Sequence, residues 1–315
     1  MASCLKQIKS AQFAPFLRGH VRFKGVLCVL KNAAIVLSVI RRGNGLAANR
    51  SVLTFWGVRG GIPAPGGATK QFGGNSPCVE VNCGDRIVVF DAGTGLRVLG
   101  QSLMARSPVK GDLLFSHTNF NRICGLPFFA AAFHPKNNFA FWCGHRPEEG
   151  NIQAVLTTLM TDPVFPVPID IFNAQLSFHD FPAGTGFALD SGIEVASIAV
   201  SCGLPGTSYK VHCTGGTIGY ACALTPPDDL TKLVDFVTGC DILILSFVGH
   251  DPDRLDAIAA EVAERAGIGQ LIVTDHAPEA TDDDLLAREE GLMNRFSASR
   301  LAREGDCMQI GEPHH

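Results

Sequence analysis

After residue 50, the order of the apolar segments limits the folds that this chain can adopt. Pairs of short strand-like segments are followed by helix-like segments, and the same order then recurs without an internal sequence repeat. Two sheets packed together, with helices on their outer sides, satisfy this order because each element buries one face. A doubly wound nucleotide-binding fold does not fit, since no glycine-rich phosphate loop follows the first strand.

The individual elements follow from periodicity and turn residues. The helices are predicted from residue 95 to 103 and from 254 to 266, where Gly267 ends the second. Residues 125–175 are rich in Phe and Pro and are predicted to form an irregular cap over a site. The predicted strands are 52–58, 78–81, 86–90, 112–116, 193–201, 207–211, 217–221, 241–246 and 271–274.

Charge divides the chain at residue 50. Residues 1–50 hold nine of the 26 basic residues and no acid, whereas the rest holds 17 basic residues and all 30 acids. Three interpretations fit the basic segment: an organelle-targeting peptide, an arm that touches a membrane surface or nucleic acid, or an extension upstream of the true start. We treat 1–50 as a basic N-terminal extension and 51–315 as the folded domain. We do not expect the domain to bind nucleic acid, because its net negative charge would be repelled by the phosphates.

Composition indicates a globular protein of a reducing compartment. A hydrophobic content of 46% with 18% charged residues excludes a disordered chain. The 11 cysteines include no Cys-x-x-Cys pair, which excludes zinc ribbons and thioredoxin-type motifs and favours reduced thiols in the cytoplasm.

Four stretches resemble the metallo-β-lactamase superfamily, on its phosphodiesterase and ribonuclease Z-like side. They are residues 55–60 with 73–76, then 90–95, 114–118 and 160–168, and the resemblance spans residues 52–286. It implies a four-layer αββα sandwich of the α/β (α+β) class, with a metal site where loops of the two sheets meet. Relatives of this family often pair, so a homodimer is also expected. Asp91, which opens an Asp-Ala-Gly-Thr-Gly turn, is predicted to have a structural role near that site.

Most of the metal ligands implied by the resemblance are replaced. The family motif His-x-His-x-Asp-His begins at His117, and Asn119, Asn121 and Arg122 stand at its later ligand positions. The next histidine position holds Leu204, with Cys202 two residues earlier, and the bridging aspartate position holds Ala223. The last histidine corresponds to Asp275 or His276, and His250 matches a family Gly-His pair.

These replacements argue against the family's two-metal centre. A hydrolytic zinc usually needs three protein ligands and an open position for water. Amides are poor substitutes for imidazole and carboxylate, and the guanidinium of Arg122 stays charged and cannot ligate. The sequence therefore predicts no bound metal. A residual mononuclear site from His117, Cys202, Asp275 or His276, holding zinc or manganese, is the alternative.

Three functions follow from these residues. The first is a non-catalytic pseudoenzyme that binds a small anionic ligand or a protein partner, with Arg122, Asn119 and His250 as the anion-binding residues. In a competing interpretation, Arg122 pairs with a nearby acid and fills the vacated site. The second function is a hydrolase of phosphoesters with a rebuilt or single-metal site, or with Cys202 or Cys222 as a nucleophile. The third is a scaffold whose basic segment touches a membrane surface.

Overall fold

The computed structural model describes residues 51–145, 151–201, 203–226 and 229–311. The basic extension 1–50 and the candidate ligand Cys202 lie outside these ranges. The strands are β1 (Val52–Gly57), β2 (Cys78–Asn82), β3 (Arg86–Phe90), β4 (Lys110–Phe115), β5 (Asn138–Cys143), β6 (Gln175–Asp180), β7 (Gly186–Leu189), β8 (Ile193–Ser201), β9 (Pro205–Cys213), β10 (Gly216–Leu224), β11 (Ile242–Phe247), β12 (Gln270–Val273), β13 (Ser299–Leu301) and β14 (Cys307–Gln309). The α-helices are α1 (Gly95–Met104), α2 (Phe120–Ile123), α3 (Ile152–Leu159), α4 (Thr231–Val237), α5 (Pro252–Ala266) and α6 (Asp282–Arg295).

The strands form two seven-stranded mixed sheets. The first has the order β14-β1-β2-β3-β4-β5-β6 and the second has the order β13-β12-β11-β10-β9-β8-β7. Strands β3 to β6 run parallel in the first sheet, and β10 to β13 run parallel in the second. The carboxyl ends of neighbouring parallel strands lie at one edge of each sheet. Residues that directly follow these strands are therefore brought together at that edge.

The core lies between the two sheets. Alternation along β3 points Val88 and Phe90 inward, where they join a buried cluster that includes Tyr209 and Tyr220 of the second sheet. A second apolar layer joins the outer face of that sheet to α4, α5 and α6, while α1 packs on β1 and β2. The predicted sandwich of two sheets between helical layers is confirmed.

Capping residues determine where the outer helices begin and end. The side chain of Asp251 accepts the amide hydrogen of Arg254 at the start of α5, and Gly267 ends that helix with a φ of 64°. A reciprocal pair formed by Thr281 and Asp284 begins α6. Among the described residues, no helix combines the length and apolar character that crossing a membrane requires.

The predicted irregular cap over residues 125–175 is wrong in part. This stretch contains β5, a parallel strand between β4 and β6, and the helix α3. The consecutive residues Phe139, Ala140 and Phe141 of β5 are all buried, so the strand shows no alternation of apolar and polar residues. That continuous apolar pattern concealed it in the sequence.

Candidate functional site

The site lies where strands of both sheets end. Asp91 follows β3 and His117 follows β4 in the first sheet, while Asp275 follows β12 in the second. Asp91 accepts hydrogen bonds from the backbone amide of Ser116 at 2.8 Å and from its hydroxyl at 2.8 and 3.0 Å. These bonds tie the end of β3 to the end of β4 and fix the carboxylate of Asp91 inside the sandwich.

Close backbone packing positions α2 against this carboxylate. The amide of Ala92 donates to the carbonyl of Arg122 at 2.7 Å, and the amide of Gly125 donates to the carbonyl of Ala92 at 2.9 Å. A Cβ on Gly125 would lie 1.9 Å from the carbonyl oxygen of Gly93, so only glycine fits there. The Asp-Ala-Gly-Thr-Gly turn therefore holds α2, and with it Arg122, at the ends of the strands.

The guanidinium of Arg122 is fully buried and bonds two carboxylates from different sheets. Its Nη1 donates to Asp91 Oδ2 at 2.8 Å and to the Tyr220 hydroxyl oxygen at 2.9 Å, and its Nη2 donates to Asp275 Oδ2 at 2.5 Å. The Tyr220 hydroxyl donates to Asp91 Oδ2 at 2.6 Å, and the Ser246 hydroxyl donates to Asp275 Oδ2 at 2.5 Å. We call Asp91, Arg122, Tyr220, Ser246 and Asp275 the arginine cluster.

The electrostatics of the arginine cluster make Arg122 a permanent cation. Burial by itself would lower the pKa of Arg122, but the charge of Asp275, followed by Tyr220 and Asp91, raises it well above its usual value. Burial and the charge of Asp91 in turn raise the pKa of Tyr220 well above its usual range, so the phenol stays protonated. The cluster therefore joins one buried guanidinium to two carboxyl groups, one that follows a strand of each sheet.

His117 lies beside the cluster in its neutral form. Only 3% of its surface is exposed, and its Nδ1 accepts the amide hydrogen of Asn119 at 3.3 Å. Burial, and next the charge of Arg122, lower the pKa of His117 to about 3. Its Nε2 and the Oδ1 of Asp275 are buried atoms without a hydrogen-bond partner in the described ranges.

The structure separates Asp275 from His276, which the sequence left as alternatives. Asp275 faces the arginine cluster, whereas His276 bonds the carbonyl of Ala302 on the other side of the loop that follows β12. The His276 ring is fully buried, with its Nε2 2.7 Å from the carbonyl oxygen of Ala302 and its edge on the Phe72 ring. Of the two candidates, Asp275 contacts the cluster and His276 belongs to the packing behind it, and which of them corresponds to the family's last ligand stays a prediction.

The other candidate residues are spread around the cluster. Asn121 is buried on α2, Leu204 is 57% exposed in the turn before β9, and His250 is exposed after β11. The amide of Ala223 donates to the Ser246 hydroxyl at 2.7 Å, so this position contributes backbone and no ligand. The anion-binding role of Arg122, Asn119 and His250 stays a prediction, although Arg122 already has two carboxylate partners, as the competing interpretation expects.

Cys222 does not fit the role of a nucleophile. Its side chain is 3% exposed and its Sγ donates to the carbonyl oxygen of Ile244 at 3.8 Å. Burial, and next the charge of Asp275, raise the pKa of Cys222 well above its usual value, which disfavours the thiolate that nucleophilic attack requires.

Two members of the cluster were missed in the sequence. Tyr220 lies on the inward-facing series of β10, with Ile218 and Cys222, and is the one inward side chain there with a hydroxyl group. Ser246 stands in the last part of the buried strand β11, which leads into the site, and Ser116 directly follows β4. Alternation could have pointed to Tyr220, but no local pattern indicates that Ser246 bonds Asp275.

The donor set does not fit the metal centre that the resemblance implies. In the part of the chain that the structure describes, no group of three or more His, Cys, Asp or Glu side chains could hold a metal ion. The atoms left free to bind a metal ion are His117 Nε2 and Asp275 Oδ1, and the second oxygen of the Asp275 carboxylate already accepts a hydrogen bond from Arg122. Two donors fall short of the three protein ligands of a hydrolytic zinc site.

The two sheets, their helical layers and the loops that converge on this edge define the class: the chain has the metallo-β-lactamase fold. It is similar to the metallo-β-lactamase fold protein YhfI from Bacillus subtilis, with 16% identity over 83% of this chain and all of that one and a TM-score of 0.59. It is also similar to a diphosphatase from the PhnP family (17% identity, 83% and 98% of the two chains, TM-score 0.60). Human tRNase Z, short form, is similar at 17% identity over 82% and 99%, with a TM-score of 0.53. No protein-family model and no curated protein matches the sequence.

Proposed function

We propose that this metallo-β-lactamase-fold protein is a pseudoenzyme that acts by binding, with Arg122 as a fixed internal cation at the metal-site edge. The observation that carries the proposal is the pair of bonds from one fully buried guanidinium to Asp91 and Asp275. Hydrolysis by a metal-bound hydroxide needs several donors around one ion. A guanidinium supplies positive charge, but it does not bind a water molecule and lower the pKa of that water as a metal ion does. The arginine cluster can therefore hold the strand ends in place but cannot generate hydroxide for hydrolysis.

A protein partner is the binding function that the surroundings of the cluster favour. The charge of Arg122 is already matched by two carboxylates, which leaves little attraction for a further anion. Two large apolar side chains are exposed close in the chain to cluster residues: Phe120, two residues before Arg122, is 64% exposed, and Val248, two residues after Ser246, is 55% exposed. Large exposed apolar side chains beside a structured site are a common feature of protein interaction surfaces. A second copy of this chain is the partner that can be tested directly.

The alternative is a hydrolase of phosphoesters with a mononuclear zinc or manganese site. The observation that favours it is the pair of buried, unpartnered atoms His117 Nε2 and Asp275 Oδ1. Such a site needs at least one more ligand, for which Cys202, outside the described residues, is the candidate that the sequence offers.

Metal content and hydrolysis distinguish these two functions. We would purify the untagged protein without chelators, measure its metals by elemental mass spectrometry before and after incubation with zinc or manganese, and assay a phosphodiester substrate. The proposal expects less than about 0.1 metal ion per chain and no hydrolysis above buffer. One tightly held ion per chain together with hydrolysis lost in His117→Ala would overturn it.

Two further measurements distinguish the ligands. Sedimentation velocity of the wild type and of Phe120→Ser tests the second copy, with Met293→Ser, which is 48% exposed on α6, as the matched control. Concentration-dependent association that Phe120→Ser abolishes and Met293→Ser retains is the expected result. Thermal stabilisation by inorganic phosphate, lost in Asn119→Ala, would instead support the anionic ligand.

A further inference from the structure

The outer face of the second sheet carries a groove of about 620 Å³ over strands β7 to β10. Val195 of β8 and Val211 of β9 belong to the core between the sheets, so the residues on either side of them in these strands face outward. A volume of roughly 300–1,000 Å³ is typical of sites that bind small molecules. Part of the lining consists of residues with small side chains, which leave space for a ligand: Gly186, Ala188 and Ala196.

Three polar side chains form a row across this groove. Thr217 of β10 is paired with His212 of β9, and His212 is paired with Glu194 of β8. The Thr217 Oγ1 atom lies 2.9 Å from His212 Nδ1. Directly opposed residues of antiparallel strands have Cβ atoms about 4.5–5.5 Å apart, so the Glu194 carboxylate is within reach of the imidazole ring. Thr217 is half-buried, whereas His212 and Glu194 are exposed, and all three line the groove.

Neighbouring contacts hold the groove in shape. The amide of Thr217 donates to the Asp241 carboxylate at 2.7 Å, which fixes the start of β10 beside β11. The ammonium group of Lys210, which also lines the groove, donates to the carbonyl oxygen of Thr238 at 2.7 Å. Lys210 lies two residues before His212 on the same outward face of β9, so a positioned positive charge accompanies the row.

We propose that Thr217, His212 and Glu194 form a second site, which hydrolyses carboxylic esters and is separate from the arginine cluster. A hydroxyl group within hydrogen-bond distance of an imidazole, with a carboxylate beside that imidazole, is the arrangement used in nucleophilic acyl transfer. The charge of Lys210 favours the negative charge that develops on the carbonyl oxygen during attack. The small side chains of the groove leave room for a short apolar acyl group.

The reaction has two steps. In the first, Thr217 Oγ1 attacks the ester carbonyl carbon, His212 takes the hydroxyl proton, the bond to the alcohol oxygen breaks, and the alcohol leaves with that proton. In the second, water attacks the acyl-threonine, the bond from the acyl carbon to Oγ1 breaks, and His212 passes one water proton to Oγ1. One ester and one water thus give one alcohol and one carboxylic acid. Glu194 is a positioning residue that acts through His212.

The test uses the full-length protein with p-nitrophenyl acetate. We expect release of p-nitrophenolate above buffer, and after an acid quench we expect one acetyl group on the peptide that contains Thr217, detected by mass spectrometry. Thr217→Val, which has nearly the same shape, and His212→Gln should each lower kcat/KM about a hundred-fold, the lower end of what a positioned base contributes. The matched control Thr158→Val, at an exposed position of α3, should keep the wild-type rate.

Glu194 needs a comparison of two variants. Glu194→Gln should lose most of the activity and Glu194→Asp should regain part of it, which a merely structural role at this exposed position would not produce. A rate that Thr217→Val leaves unchanged, or acetyl groups found only on other side chains, would overturn the inference. The reaction does not involve the arginine cluster, so its failure leaves the proposed function to the metal and phosphodiester measurements.

Discussion

Replacing Arg122 with methionine tests the arginine cluster most directly. Methionine fills a large part of the same volume but removes the cation that bonds Asp91 at 2.8 Å and Asp275 at 2.5 Å. Asp91 keeps its hydrogen bonds from Ser116 and Tyr220, and Asp275 keeps the one from Ser246. Two buried carboxylates would then lack a counter-ion.

The expected loss of stability follows from the burial of the ion pairs. Removing one partner of a buried pair costs about 3–5 kcal/mol, because the remaining charge is left uncompensated in a medium that solvates it poorly. Since one guanidinium serves two carboxylates here, we expect the upper end of that range. A loss of about 5 kcal/mol is a change of several thousand-fold in the unfolding equilibrium.

Urea unfolding at pH 7, followed by circular dichroism, measures this loss. The matched control is Arg265→Met, which removes an exposed ion pair with Glu261 at 2.9 Å and should cost less than about 1 kcal/mol. The double variant Arg122→Met/Asp275→Asn replaces one unpaired charge by a neutral amide and should recover part of the loss. If Arg122→Met destabilised the protein no more than Arg265→Met does, the claim that this cation holds the site would be refuted.

Two further predictions concern packing and pH. Burial lowers the pKa of His276 to about 3, against about 6.5 when unfolded, so unfolding takes up a proton between these values. Stability should therefore fall on acidification from pH 6.5 to 3, by at most about 1.4 kcal/mol per pH unit from this residue, and His276→Gln should flatten that dependence in urea titrations. In thermal unfolding, Gly125→Ala should lower Tm strongly because its Cβ meets the Gly93 carbonyl oxygen at 1.9 Å. Gly291→Ala, in open space within α6, should stabilise by about 1 kcal/mol, and equal shifts for the two glycines would contradict the packing.

The sequence predicted most of the sheet residues because their apolar spacing is local. Alternation alone identifies Val88 and Phe90 as inward-facing residues of β3. Strand β5 was not predicted because it is buried on both faces, and the sequence of such a strand cannot be distinguished from any other short apolar run. Strands with one buried face can be predicted from the alternation of apolar and polar residues, whereas a strand that is buried on both faces shows no such alternation.

The site was only partly predictable, because its bonds join distant positions. The motif that begins at His117 located Arg122, but the partner Asp275 lies 153 positions further along the chain. The sequence could not decide between Asp275 and His276, because shifting the comparison with the family motif by one residue changes which of the two side chains is placed at the site. The bond from the Tyr220 hydroxyl to Asp91 could not be predicted, because it forms only when the second sheet packs against the first.

Backbone strain links the arginine cluster to its surroundings. Asp91, Ala223 and Asp275 have φ values of 61°, 58° and 59°, a left-handed conformation that costs a non-glycine residue about 1–3 kcal/mol. Arg122 bonds the side chains of the two aspartates, and the Ser246 hydroxyl joins the amide of Ala223 to Asp275. Because one network restrains all three strained strand ends, the loops that follow them keep their positions without a further ligand. A binding surface on those loops would then be preorganised, which lowers the entropy lost when a partner binds.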